Sequence, residues 1–181
     1  MKERNDFFMK TLIAYGTKHG TAEECAEILS KKLDGEVDVI NLKKKTPENL
    51  SAYDKIIVGG SIYAGQIIGE VKSFCANNLT ILKEKPLGLF LVCMSDDESY
   101  IETTITNSFS SELAGHAIAR GSFGGAFHFS KMNFFEKGII KMVTKQAVKE
   151  GKAASAPDGK TDISNISESR ISGFANKINL M

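Results

Sequence analysis

Apolar residues recur along this chain in two alternating rhythms. The first run, Lys10-Thr11-Leu12-Ile13-Ala14-Tyr15, is short, nearly unbroken and stopped by Gly16, as expected of a strand buried on both faces. Ala22, Cys25, Ala26, Leu29 and Leu33 then fall at i, i+3, i+4, i+7 and i+11, one face of a helix that Gly35 stops. Residues 36–42 alternate as a second strand, Pro47 marks a loop, and residues 54–60 form a β-branched third strand. Ile67, Val71, Phe74 and Cys75 predict a second amphipathic helix. Pro86 introduces the strongest strand, residues 87–94. Helical spacing returns over 98–113 in Ile101, Ile105, Phe109 and Leu113. A Gly-interrupted fifth strand follows over 116–127, then a helix over 133–149. Residues 151–161 are small, polar and broken by Pro157 and Gly159, a loop. Ile171, Phe174, Ala175 and Ile178 mark a last helix.

Strands and helices that alternate in this way predict an α/β fold, a doubly wound five-stranded parallel sheet with helices on both faces. No internal repeat or linker divides the chain. We read residues 1–8 as a short disordered extension without the apolar stretch of a secretory signal, and 9–181 as a single domain. Ligands of such sheets sit at the carboxyl ends of the strands. The loops after Tyr15, Gly60 and Met94 are therefore the ones to inspect.

The first of these, Tyr15-Gly16-Thr17-Lys18-His19-Gly20-Thr21-Ala22, joins a strand to a helix. Two glycines let the backbone turn tightly and approach a ligand. The helix start offers unpaired N–H groups and the positive end of its dipole, and Thr17 and Thr21 add hydroxyls. Together they make an anion site sized for one phosphate. A triphosphate P-loop would need Gly-Lys-Ser/Thr at its end, but Gly20 is followed by Thr21-Ala22. The dinucleotide fingerprint G-x-G-x-x-G is also absent. A phospho-acceptor receiver domain would need acidic residues where Thr17 to Gly20 stand and an Asp where Ser61 stands. The plainer alternative is that the two threonines only cap the helix. The His19 side chain is expected to face solvent while its backbone N–H faces the ligand. No residue stands out as a protein acid or base.

After the third strand comes Gly60-Ser61-Ile62-Tyr63-Ala64-Gly65. Its apolar and aromatic pair between glycines suits one face of a flat ring, with backbone N–H groups at the ring's polar edge. After the fourth comes Cys93-Met94-Ser95-Asp96-Asp97-Glu98, with Tyr100 beyond. Met94 or Tyr100 suits the other face. Ser95 to Glu98 equally suit a plain helix start.

Composition narrows the function classes. The chain has 181 residues, 42% hydrophobic and 25% charged, which suits a soluble globular domain. A net charge of +1 gives no bulk field for nucleic acid. Three scattered cysteines without CxxC spacing suggest no metal site or redox pair. Cys25, Cys75 and Cys93 read as small core residues in a reducing, cytoplasmic compartment. His116 and His128 read as structural histidines.

The turn Tyr15-Gly16-Thr17-Lys18-His19-Gly20-Thr21 resembles the phosphate loop of the flavodoxin family, and the resemblance spans nearly the whole chain from Met9. Gly60 to Gly65, and Gly125-Ala126-Phe127 followed by the Phe-rich basic segment 133–145, are similar to a branch that includes menaquinone-dependent protoporphyrinogen dehydrogenases. The resemblance implies strand order 2-1-3-4-5, noncovalent FMN and electron transfer. It implies Thr17, Lys18, His19, Gly20, Thr21 and Ala22 at the phosphate. It implies Ser61, Ile62, Tyr63, Ala64 and Gly65 near the isoalloxazine, and we add Met94, Ser95 and Asp96 from the third loop. The chain departs from the common pattern at His19 and Ala22, where hydroxyl residues are usual, and in lacking the acidic charge of most flavodoxins. Three readings follow: an electron-transfer module, an FMN-dependent protoporphyrinogen dehydrogenase-like enzyme, and a flavin-free interaction domain. The partner is a redox protein or a quinone.

Asn133-Phe134-Phe135-Glu136 has the form of a capping box. Phe135, Ile139, Met142 and Val143 then recur at helical spacing, with Lys137, Lys141, Lys145 and Lys149 beside them. This is either a domain helix with a solvated lysine face or a surface for weak, reversible contact with a membrane or an acidic partner.

Overall fold

The computed structural model describes residues 9–151, 153 and 155–181, so the expectation for residues 1–8 lies outside the described residues. Strands β1 (Lys10–Gly16), β3 (Lys55–Tyr63) and β5 (Leu87–Val92) carry the continuous apolar runs and are buried along almost their whole length. Such strands have no polar face for water and require cover on both sides. One face, including Leu12, Ala14 and Val58, is covered by α2 (Gly69–Asn77), α3 (Leu79–Glu84) and α4 (Glu98–His116). The other, including Ile13, Tyr15 and Ile57, is covered by α1 (Thr21–Ser30) and α6 (Glu168–Asn179). With β2 (Glu36–Asn41) and β6 (Ala119–Ser122) at the edges, the parallel order is β2-β1-β3-β5-β6. Apart from one hairpin strand, this is the expected doubly wound order.

That hairpin corrects the reading of residues 61–65 as a loop. Strand β3 continues through Tyr63 and folds back as β4 (Gln66–Ile67), pairing Ile62 with Ile67 and Tyr63 with Gln66. Ala64 and Gly65 make the turn with φ of 49° and 76°, the left-handed pair that a two-residue hairpin requires.

The expected fifth strand over 116–127 is also corrected. His116 ends α4, and only residues 119–122 join the sheet. The chain leaves at Gly124 (φ 82°), where an added Cβ would lie 2.1 Å from the Asn165 carbonyl oxygen. Asn165 Oδ1 accepts from the Gly125 amide at 2.7 Å. Ala126–Phe127, β7, then pairs antiparallel with β8 (Ile163–Ser164) in a separate two-stranded sheet. The six-residue α3 was not expected, because so short a helix shows no periodicity.

Candidate functional site

The carboxyl ends of β1 and β3 run so close that a Cβ on Gly60 would lie 2.9 Å from the Gly16 carbonyl oxygen. The turn that follows β1 closes on itself, with Thr17 Oγ1 accepting from the Gly20 amide at 3.0 Å. Gly20 is the N-cap of α1 in the left-handed region (φ 96°), and no side chain caps the helix. The first bond of the helix runs from the Glu24 amide to the Gly20 carbonyl, 3.1 Å. Neither threonine therefore serves as N-cap: Thr17 precedes the helix and Thr21 is its first residue. Thr21 and Ala22 are buried. An uncapped helix start that follows Thr17 and opens on Thr21 is an arrangement for an anion.

A side-chain cluster from distant elements closes over this turn. Helix α5 (Phe134–Lys149) begins with a full capping box: Asn133 Oδ1 accepts from the Glu136 amide and Glu136 Oε2 from the Asn133 amide, each at 2.9 Å. The other Glu136 oxygen takes the Lys18 ammonium and lies 3.6 Å from His19 Nε2. The Lys18 ammonium also lies 4.2 Å from the Tyr63 ring centroid, a cation–π contact. Lys131 Nζ donates to the His19 carbonyl at 3.3 Å. Glu136 is only 6% exposed, and Lys18 and then the Asn133 amide hold its carboxyl down to about 2. The same contact raises Lys18.

The expectation that the His19 side chain faces solvent is overturned: the ring is 14% exposed, tilted against Tyr63 at 6.2 Å between centroids. Burial, more than any neighbouring charge, lowers its pKa. Its Nε2 is buried without a hydrogen-bond partner.

Glu136 is a depressed carboxylate, so its contribution is fully present above the ordinary value of 4.5 and is lost as pH falls toward 2. Glu136→Gln keeps an acceptor for the Asn133 amide but loses the charge, and should therefore lower stability by about 1–3 kcal/mol at pH 7 through the charge-assisted bond to Lys18. The gap from wild type should close between about pH 4.5 and 2. Urea unfolding of both proteins across that range measures it, and a gap independent of pH would refute the ionised contact.

The second loop differs from its expected geometry. Ser61, Ile62 and Tyr63 lie in a strand, where successive side chains leave on opposite faces. Ile62 packs against the core cluster of α2 and α4, while Tyr63 meets Lys18 and His19. The two side chains therefore do not share one face of a ring, as the sequence suggested. Ala64 and Gly65 are exposed at the turn.

In the third loop Met94 and Ser95 are half-buried. Ser95 Oγ accepts from the Asp97 amide at 3.2 Å, and Asp97 Oδ1 caps α4 by accepting from the Tyr100 amide at 3.1 Å. Asp96 pairs with Arg170 of α6 at 2.9 Å. The helix-start reading thus accounts for the polar side chains here. The segment around Gly125 packs directly on this loop, since a Cβ there would lie 2.7 Å from the Cys93 carbonyl carbon. Glu136 and Lys131 are the cluster members that sequence reasoning missed. The capping box was visible, but nothing local indicated that its carboxylate reaches Lys18.

Cys25, Cys75 and Cys93 are free and buried, and burial pushes the Cys25 and Cys75 thiols up to about 12. His116 Nε2 lies 3.0 Å from the Lys85 carbonyl oxygen, a structural contact.

Comparison with known proteins places this architecture in context. The chain is 25% identical over 146 residues to protoporphyrinogen IX dehydrogenase (quinone) of Escherichia coli (strain K12), covering 77% of this chain and 81% of that protein. It is 23% identical over 144 residues to the protein of the same name from Leishmania major, covering 75% and 62%. Among solved structures, Fusobacterium nucleatum flavodoxin bound to flavin mononucleotide aligns with a TM-score of 0.49 at 12% identity, covering 94% of this chain and 97% of that one. A WrbA-like flavodoxin from Agrobacterium tumefaciens aligns with a TM-score of 0.49 at 19% identity, covering 71% and 87%. The model of the flavodoxin domain matches residues 12–154, from within β1 to beyond α5, a span that carries all three loops and the α5 contact, and the chain therefore belongs to the flavodoxin domain family.

Proposed function

We propose that residues 9–181 form one unit that binds FMN noncovalently and transfers electrons through it. The observation that carries this reading is the uncapped start of α1, with Thr17, Thr21 and Ala22 buried at the turn. Its surroundings fit a phosphate: the Lys18 and Lys131 ammonium groups lie at the turn, and the unpaired His19 Nε2 is a further polar group in it. The one carboxylate in the cluster, Glu136, is already engaged by Lys18.

In this reading Thr17, Lys18, His19, Gly20, Thr21 and Ala22 hold the phosphate. Ser61, Tyr63, Ala64 and Gly65 border the ring from the hairpin, Ile62 contributes its backbone, and Met94, Ser95 and the Asp96 backbone border it from the third loop. Bound FMN supplies the redox chemistry. The chain's own residues bind and orient it. Glu136 fixes the direction of Lys18, Tyr63 gives that ammonium a second contact, and no side chain is assigned a proton-transfer step.

The names of the curated relatives support a quinone as acceptor, or a redox protein that feeds one. A second reading, tetrapyrrole oxidation by this chain itself, rests on the same relatives. The free, buried cysteines suit a reducing, cytoplasmic location.

Purified protein should show a flavin absorbance spectrum, and apoprotein should take up one FMN per chain in a fluorescence titration. Failure to bind FMN under native conditions overturns the proposal and leaves the flavin-free interaction domain. An anaerobic assay with protoporphyrinogen and a menaquinone analogue, followed by porphyrin fluorescence, then separates enzyme from electron-transfer module.

A further inference from the structure

Helix α5 is held to the body of the protein by one side and presents the rest of its surface outward. Glu136, Lys137, Ile140, Thr144, Ala147 and Val148 form the buried or half-buried side. On the outward side, Phe134 is 85% exposed, Phe135 80%, Met142 67% and Val143 57%. Phe135, Ile139, Met142 and Val143 fall at i, i+4, i+7 and i+8, a continuous apolar stripe. Large apolar side chains gathered in this way mark an interaction surface.

Charge runs alongside the stripe. Lys137, Lys141, Lys145 and Lys149 recur every fourth residue. None of these four ammonium groups has an ion pair among the described residues. The only carboxylate within the helix, Glu136, points inward to Lys18. No helix among the described residues is long and apolar enough to cross a membrane.

We propose that α5 is an interfacial docking helix for an anionic lipid surface, with Phe134, Phe135, Ile139, Met142 and Val143 entering the headgroup boundary and the exposed Lys141, Lys145 and Lys149 meeting lipid phosphates. A short apolar stripe flanked by lysines is the composition that such a surface takes. A second copy of this chain is a poorer occupant, because pairing two α5 helices would bring both lysine rows together. An acidic protein would satisfy the lysines. It would need pockets for side chains that project almost fully into solvent, whereas lipid accommodates them without preformed shape.

The docking also has a direction. Phe134 and Phe135 precede Glu136, which holds the first turn of α5 against Lys18 and, across the turn, His19. Seating the helix on a bilayer would set the turn after β1 at the membrane surface, within reach of a lipid-soluble electron acceptor. That last step rests on the electron-transfer reading; the lipid contact does not.

The test is co-sedimentation of the full chain, as purified with its flavin, with vesicles of phosphatidylcholine alone and of phosphatidylcholine containing about a third phosphatidylglycerol. Binding is expected to the anionic vesicles, weakening with added salt, and little to the neutral ones. Two double variants are then compared: Phe134→Ser with Phe135→Ser, and Lys141→Glu with Lys145→Glu. Each should weaken anionic-vesicle binding by about tenfold or more with unchanged far-ultraviolet dichroism. Wild-type binding by the serine variant overturns the apolar seat. Equal binding to both vesicle types overturns the choice of an anionic surface. A dimer in sedimentation velocity that the serine variant dissociates assigns the face to a second copy. Vesicle binding by protein that takes up no FMN overturns only the function proposed above, and flavin-loaded protein that ignores every vesicle overturns only the docking.

Discussion

Thr17→Asp should abolish FMN binding and leave the fold in place. In the free protein the new carboxylate can accept from the Gly20 amide where Thr17 Oγ1 does so at 3.0 Å. It would stand at the positive end of α1 near Lys18 and Lys131, where a negative charge is favourable. The same charge opposes a phosphate in the turn. Two unit charges about 5 Å apart at a partly buried site repel by roughly 3 kcal/mol, and the lost hydroxyl donor removes about 1.5–3 kcal/mol more. Together they predict that FMN affinity falls by a factor of about 10³–10⁴. Fluorescence titration of the apoprotein measures this, and thermal unfolding without flavin should stay within about 1 kcal/mol of wild type. Riboflavin, which carries no phosphate, should bind both proteins alike. If the variant holds FMN as tightly as wild type, the phosphate is not at this turn.

Gly59→Ala should cost about 3 kcal/mol of stability, at the upper end for overpacking a core. Gly59 lies in β3 beneath Phe90, and an added Cβ would sit 2.3–2.4 Å from three atoms of that ring. Phe90 is fully buried and stacks on Phe123 at 4.8 Å, which in turn meets Phe174 edge-on at 5.1 Å. The ring is enclosed and has nowhere to retreat. For a chain of this size the loss corresponds to a fall of about 6–12 °C in Tm. Phe90→Leu alone should also destabilise, by leaving a void, yet the double variant should be more stable than the two losses combined predict, because the smaller side chain relieves the contact. Unfolding of Gly59→Ala at the wild-type temperature would show that the ring has room to move.

Much of the fold was legible in the sequence. The runs over 10–15, 54–60 and 87–94 needed burial on both faces, and β1, β3 and β5 occupy the middle of the sheet. Ala22, Cys25, Ala26 and Leu29 form the buried face of α1, and Leu33, expected on the same face, is buried just beyond the helix, which ends at Ser30. Asn133 and Glu136 form the capping box that their spacing predicts. The readings that failed did so where backbone conformation overrode pattern. Glycines in 121–125 were compatible with an interrupted strand, but the left-handed Gly124 and its close approach to Asn165 take the chain out of the sheet. The glycine-rich stretch after Gly60 looked like an open loop, but its turn residues, Ala64 and Gly65, close a hairpin.

By itself, then, the sequence determined the alternation of buried strands and amphipathic helices, and it located the turn at Thr17 to Thr21 at the end of the first strand. Both are short-range properties, written in the spacing of neighbouring residues. Only the tertiary structure decided what surrounds that turn. It showed that Tyr63 leaves its strand on the same side as Lys18 and His19 while Ile62 joins the core. It brought Lys131 to His19 across 112 residues and set Glu136 on Lys18. Those contacts depend on how α5 packs against the loops. That packing minimises the cost of burying charges by pairing them, a condition that no local pattern encodes.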